Sequence, residues 1–259
     1  MANALDPAFL TVPLAHRALH DADAHRPENS LPAVRAAIRY GYGIEVDLQA
    51  SNDGIAMVFH DEDLDRLTYE TGPVRGRTAA ELQRIRVRHS REPIPTLRQL
   101  LAEIAGQVPL LIEIKDQTGK MGPTDGDLER SVAAALDGYA GPVAVMSFNP
   151  SSVAWMAQLA PAVPRGLTTD AFLASDYPDQ TGPEFEAHCK NLAAIADFDR
   201  VGAVFISHDW KDLNRARVSE LKAQGAAILC WTIKSADDEA KARRIAQNIT
   251  FERYLAKHP

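Results

Sequence analysis

Apolar runs of strand length alternate along this chain with segments whose apolar residues recur at helical spacing. That alternation is the sequence form of repeated βα units around a parallel sheet. Strands are expected at 12–16, 43–48, 108–115, 142–148, 165–169, 203–208, 226–233 and 249–252. Eight is the barrel number, and 259 residues suit a single (β/α)8 domain of about 250 residues. No Pro/Gly/Ser-rich linker, repeat or low-complexity stretch offers a place to cut, so one TIM-barrel domain is expected over residues 1–259.

Helix ends are legible between the strands. Asn29 or Ser30 can cap a helix with Pro32 in its first turn, with Leu31, Val34 and Ile38 on one face and Gly41 beyond its end. Thr78 with Glu81 three residues later reads as a capping box. Thr96 caps a segment whose Leu97, Leu100, Leu101 and Ile104 share the face turned to a barrel wall. Further helices are expected near 127–137, 150–160, 184–196, 214–224 and 236–247. Asn52-Asp53-Gly54 signals a hairpin that folds the second strand back before His60. The stretch 61–95 exceeds a plain βα loop and is expected over one barrel mouth. Little chain follows the eighth strand, so a full last helix is not expected, and the N-terminal tail is expected to cover that gap.

Composition adds exclusions. A hydrophobic share of 46% supplies a core, and a net charge of -7 lacks the basic face of a general nucleic-acid binder. No apolar run approaches the roughly 20 residues that span a bilayer, so no stable membrane insertion is expected. The first residues lack a charged segment followed by an apolar one, and the two cysteines, Cys189 and Cys230, read as buried reduced thiols. A cytoplasmic location is expected; the oligomeric state is left open.

Chemistry concentrates at strand ends. Glu45 and Asp47 are two apart on a strand and point to the same side, and Glu113 adds a third carboxylate from the next barrel strand. Oxygen-only ligands suit one hard divalent cation, Mg²⁺ or Ca²⁺, with ion pairs to Arg17 and Lys115 as the plainer alternative. His16 and His60 each end a strand, and imidazoles titrating near pH 6.5 can serve as acid or base. Arg17 can grip phosphate oxygens in a fork while Lys115 adds a point charge. Together these groups are the equipment of a metal-assisted phosphodiesterase. Trp231, late in the seventh strand, is a candidate aromatic wall of the site or simple core, whereas His208, Asp209 and Lys234 read as solvated loop residues.

The ordered motifs His16-Arg17, Pro27-Glu28-Asn29-Ser30, Glu45-Val46-Asp47, His60-Asp61 and Glu113-Ile114-Lys115 resemble the glycerophosphodiester phosphodiesterase family, with a weaker likeness through Ser147-Phe148-Asn149-Pro150 to Trp231-Thr232. The resemblance implies cleavage of a small glycerophosphodiester to sn-glycerol 3-phosphate and an alcohol. It implies catalysis by His16, His60, Arg17 and Lys115, a cation on Glu45, Asp47 and Glu113, and substrate contacts from Arg17, Glu28, Lys115 and Trp231. His16 is assigned base and His60 acid; Asp61 is expected to orient a neighbour. Other readings are a lysophospholipase D or sphingomyelinase D-like enzyme on lipids, and a barrel that binds a phosphodiester without turnover.

The chain departs from the family where His-Arg-Gly is usual. It has His16-Arg17-Ala18, followed by the polar segment 19–26 before Pro27. Ala18 enters positive φ less easily than glycine, so a different path for the first loop, and a reshaped pocket for the leaving alcohol, are expected.

Overall fold

A computed structural model describes residues 4–177 and 180–258. Its sheet is a closed parallel barrel of β1 (Leu14–Ala15), β2 (Gly43–Ala50), β4 (Leu110–Ile114), β5 (Val143–Ser147), β6 (Arg165–Thr169), β7 (Phe205–Asp209), β8 (Ala227–Ile233) and β9 (Asn248–Phe251). Closure comes from β1, which pairs in parallel with β2 on one side and β9 on the other. The short β3 (Ala56–Val58) turns back antiparallel on β2 through Ser51–Ile55, as the Asn-Asp-Gly signal anticipated.

Helix α1 (Ala8–Thr11) precedes β1, and α2 (Leu31–Tyr40) starts at Ser30, whose hydroxyl accepts from Ala33 N. It stops at Gly41, whose φ of 73° satisfies the last turn at little steric cost. Capping boxes open α3 (Ala79–Leu82) and α4 (Leu97–Ile104), at Thr78 with Glu81 and at Thr96 with Gln99. The expected apolar face of α4 is buried, and each such leucine contributes about 1.5–3 kcal/mol of burial. The remaining helices are α5 (Asp127–Leu136), α6 (Pro150–Leu159), α7 (Pro183–Ala193), α8 (Ala216–Ala223) and α9 (Ala236–Ala242).

Alternation along the strands separates two apolar layers. Outward residues such as Ile44, Val46, Ile112, Val145, Ile206 and Ile228 pack under the helices. Leu14, Leu111, Ala144, Phe205 and Leu229 cluster with Phe9 of α1 at the opposite end from the strands' C-termini. Asn248 Nδ2 donates to the carbonyls of Phe9 and Val12 (2.8 and 2.6 Å), tying α1 to β9. The N-terminal segment therefore closes the barrel floor rather than the gap expected after the eighth strand. That gap is filled by the C-terminal residues: Tyr42 donates to the Ala256 carbonyl, and His258 stacks on the Tyr42 ring at 4.8 Å. With the floor sealed, the mouth at the strands' C-terminal ends is the open one.

The excursion after β3 builds a small core of its own from Leu64, Leu67, Val74, Leu82, Ile85, Val87 and Ile94 against Met57 and Phe59. Both cysteines are buried and unbonded to each other. Among the described residues no helix is long and apolar enough to cross a membrane.

Candidate active site

A cavity of about 410 Å³ opens at that mouth, lined by His16, Arg17, Glu28, Glu45, Asp47, His60, Glu113, Lys115 and Trp231 together with Glu252 and Arg66. Every candidate site residue taken from the sequence thus faces one space. The register explains the acidic trio: Asp47 lies opposite Glu113 across the parallel β2–β4 pair, and Glu45 sits one pleat below. One ligating atom from each of the three lies within 4.8 Å of the others. All three are buried.

Their surroundings differ. Asp47 accepts from Asn29 Nδ2 (2.9 Å) and lies 3.5 Å from both Lys115 Nζ and Arg17 Nε. Burial pushes its carboxyl up, but Lys115, His60 and Arg17 together hold it well below the usual range. Glu113 accepts from Lys115 Nζ at 2.7 Å. Glu45 has the backbone N–H of Arg17 (2.9 Å), and burial with two neighbouring carboxylates pushes it well above its ordinary value. An oxygen-only cluster with one member forced toward its proton fits a divalent cation, because a cation would replace the proton and relieve the repulsion.

Each histidine is held by a carboxylate. His60 Nδ1 meets Asp61 Oδ1 at 2.7 Å, and its Nε2 lies 3.3 Å from Lys115 Nζ. Lys115 stays protonated, since Glu113 and Asp47 outweigh the cost of its burial, so it donates and His60 Nε2 accepts. Burial foremost pulls the His60 pKa below 6.5. Arg66 donates to both oxygens of Asp61 and both of Glu28, and burial notwithstanding, Arg66 and His60 bring Asp61 down to about 2. Asp61 orients a neighbour, as expected, and that neighbour is His60. Glu28 holds Arg17 Nη1 at 2.7 Å, leaving Arg17 Nε buried without a hydrogen-bond acceptor.

His16 Nδ1 meets Glu252 Oε2 at 2.8 Å, just beyond β9. Neither Glu252 nor Arg66 was singled out from the sequence. Lys234 Nζ lies 3.0 Å from Glu252 Oε1 at the pocket rim, while its side chain stays about half exposed, as expected of a solvated loop residue. His208 departs from that expectation: it is fully buried, with Thr169 Oγ1 at 2.7 Å, on the face of β7 opposite Ser207. Asp209 accepts from Lys211 N and caps a helical turn. Asn29 does not cap α2; it holds Asp47 while Ser30 caps. Trp231 Nε1 donates to the Ser207 carbonyl, and its ring meets Phe148 edge-on at 5.5 Å, forming an aromatic wall.

Ala18 adopts φ 64° despite its Cβ, following Arg17 at 51°. The first loop thus keeps a left-handed turn at a cost of about 1–2 kcal/mol per residue, rather than avoiding it.

Comparison with known proteins bears on the family and the fold. The sequence profile of the glycerophosphoryl diester phosphodiesterase family matches residues 16–248. Glycerophosphodiester phosphodiesterase 1 of Bos taurus is 27% identical over 261 residues, covering 91% of this chain and 76% of the relative. The glycerophosphodiester phosphodiesterase of Bacillus subtilis is 25% identical, covering 91% and 80%. A phosphodiesterase of Oleispira antarctica, solved in complex with the product sn-glycerol-3-phosphate, superposes with a TM-score of 0.76 at 23% identity, covering 95% and 94% of the two chains. The chain belongs to the glycerophosphoryl diester phosphodiesterase family and is a phosphodiesterase.

Proposed function

We propose that this cavity hydrolyses glycerophosphodiesters to sn-glycerol 3-phosphate and an alcohol, using one divalent cation and the His16/His60 pair. The observation that carries the reading is the meeting, in one cavity, of the carboxylate trio with two histidines, each backed by its own carboxylate. The product complex of the Oleispira antarctica phosphodiesterase supports glycerol 3-phosphate as the product.

Glu45, Asp47 and Glu113 would hold the cation, and their oxygen-only donors suit Mg²⁺ or Ca²⁺. When bound, it would supply positive charge that draws phosphate to an otherwise acidic pocket and offsets charge developing on the phosphoryl oxygens. Arg17 lines the cavity and sets its guanidinium charge against a nonbridging oxygen, with Glu28 fixing the guanidinium plane. Lys115 adds a second cation to the pocket wall. Phe148 and Trp231 present ring edges and faces to glycerol carbons.

We assign base to His60 and acid to His16, the reverse of the sequence expectation, because His60 has its Nδ1 engaged with Asp61 and an accepting Nε2. In the reaction His60 Nε2 takes the proton of the attacking hydroxyl, from water or from the glycerol itself. The new O–P bond forms, the bond to the leaving oxygen breaks, and His16 passes a proton to that oxygen. Attack by glycerol gives a cyclic phosphate that water then opens.

A cytoplasmic setting suits the two unbonded thiols and the net charge of -7. The test is a substrate panel with glycerol 3-phosphate as readout. Several glycerophosphodiesters should be cleaved much faster than bis(p-nitrophenyl) phosphate, because a site that bonds glycerol hydroxyls is left unmatched without them. Equal rates on both classes, or preference for lysophosphatidylcholine micelles, would overturn the assignment.

A further inference from the structure

The excursion that follows β3 concentrates basic side chains at Arg84, Arg86, Arg88, His89 and Arg91, on a chain whose net charge is -7. Its backbone there is a short hairpin. Val87 N donates to the Glu92 carbonyl (3.3 Å) and Ile94 N to the Ile85 carbonyl (3.1 Å), and the turn passes through His89 at φ 62°. Ile85, Val87 and Ile94 are buried in the excursion's own core, so Arg84 and Arg86 are turned outward, and His89 and Arg91 stand exposed at the turn. Arg88 N donates to the Leu67 carbonyl (2.8 Å), which seats the hairpin one residue from Arg66, a wall of the catalytic cavity.

Acidic side chains nearby in the chain have other partners. Glu92 pairs with Arg35, Glu70 with Arg77, and Glu81, just before Arg84, accepts from Thr78 N and Oγ1. Among the described residues Arg84, Arg86, His89 and Arg91 make no ion pair. Beside the hairpin Tyr69 is 79% exposed, and the Arg88 guanidinium lies over its ring at 5.1 Å, held there by Arg88 Nε donating to the Thr68 carbonyl at 2.6 Å. The surface next to the cavity thus presents unneutralised positive charge around one exposed aromatic ring.

We propose that this hairpin docks the protein peripherally on an anionic lipid bilayer, with its arginines on lipid phosphates and Tyr69 at the level of the headgroups. Guanidinium forks match phosphate oxygens, and a tyrosine has an apolar body and a polar tip suited to that interface. A basic cluster joined to a small apolar anchor gives reversible attachment without insertion. Nucleic acid fits less well, because it asks for a basic track along a backbone, and here the unpaired arginines are confined to one hairpin of an acidic protein. The docking stands apart from the function proposed above, and only its use rests on that reading. A glycerophosphodiester is a phospholipid stripped of both acyl chains, so a deacylation at the bilayer supplies it, and a cavity beside the docked hairpin opens where that substrate is released.

The experiment sediments the protein with vesicles of phosphatidylcholine alone and of phosphatidylcholine mixed equally with phosphatidylglycerol, for the wild type, the double variant Arg86→Glu/Arg91→Glu, and Tyr69→Ser. The wild type should partition onto the anionic vesicles at least roughly tenfold more strongly than onto the neutral ones, and less so as salt is raised. The double variant should lose roughly 25-fold or more of that partitioning, at about fivefold for each arginine removed. Tyr69→Ser should weaken it on the same vesicles. Neither set of residues lines the catalytic cavity, so unchanged cleavage of a soluble glycerophosphodiester reports that the variants are folded; Arg84→Gln/Arg86→Gln replaces the double variant if that one is not. Equal partitioning onto both vesicles, no partitioning at all, or a folded arginine variant that binds as the wild type does overturns the proposal. So does tight binding of a short single-stranded RNA without vesicle binding, which would give the hairpin to nucleic acid. Vesicle binding with no cleavage of any glycerophosphodiester would strike the proposed function and leave the docking surface standing.

Discussion

Replacing Glu45 by glutamine should make the cation-free protein more stable while removing its activity. The ligating atoms of the trio lie within 4.8 Å of one another, and two unit charges at that separation repel by ~3.5 kcal/mol at an effective dielectric near 20. Asp47 and Glu113 have Lys115 close by, at 3.5 and 2.7 Å, and Asp47 also has Arg17. Glu45 has a single backbone N–H, so burial and its two acidic neighbours push its carboxyl above the ordinary 4.5. A carboxyl raised in this way binds its proton more tightly folded than unfolded. Its stabilising contribution is therefore full below pH 4.5 and is lost as pH rises through the folded pKa. In Glu45→Gln the amide would keep an oxygen for the Arg17 N–H and carry no charge at any pH. At pH 8 in chelator the variant should gain about 1–3 kcal/mol, less than the pairwise figure because Glu45 sheds part of the repulsion by holding its proton. For a chain of this size that is a rise of about 2–4 °C per kcal/mol, read by thermal unfolding, and the gain should shrink as pH falls toward 5. Added Mg²⁺ or Ca²⁺ should raise the wild-type midpoint and not the variant's. A variant less stable at pH 8, or a gain independent of pH, would refute the reasoning.

His16→Ala and His60→Ala should each lower turnover by roughly 10²-fold or more with little change in thermal midpoint, since both side chains stand at the mouth and outside the apolar clusters; near-normal turnover in both would remove the pair from the mechanism. The acid limb of kcat/KM should fall below pH 6.5, because burial lowers the His60 pKa and a base must be neutral to act; a limb above 6.5 would contradict that role.

Much of the barrel is legible in the chain because each strand carries its own apolar signal and each helix its own cap. Capping boxes at Thr78 and Thr96, and the Asn52-Asp53-Gly54 turn, are local chemistry that tertiary structure left intact. Candidate site residues at strand ends were legible for the same reason, since a parallel barrel brings such ends together. The supporting residues were not. Glu252 reaches His16 across 236 positions, and Arg66 reaches Glu28 from within an irregular excursion, so no local pattern marks either. His208 was misread because position at a strand end does not fix its face; the pleat turns it away from the cavity side. The floor helix escaped notice because four residues carry too little periodicity.

The most direct test of the account follows release of sn-glycerol 3-phosphate from a glycerophosphodiester after exhaustive chelation and again after adding back Mg²⁺ or Ca²⁺. The account predicts no release from the chelated wild type, recovery with one of the two cations, and no recovery in Glu45→Gln or Asp47→Asn. Full release from the chelated protein, with no metal found by elemental analysis, would contradict it and leave the acidic trio as ion-pair partners of Lys115 and Arg17.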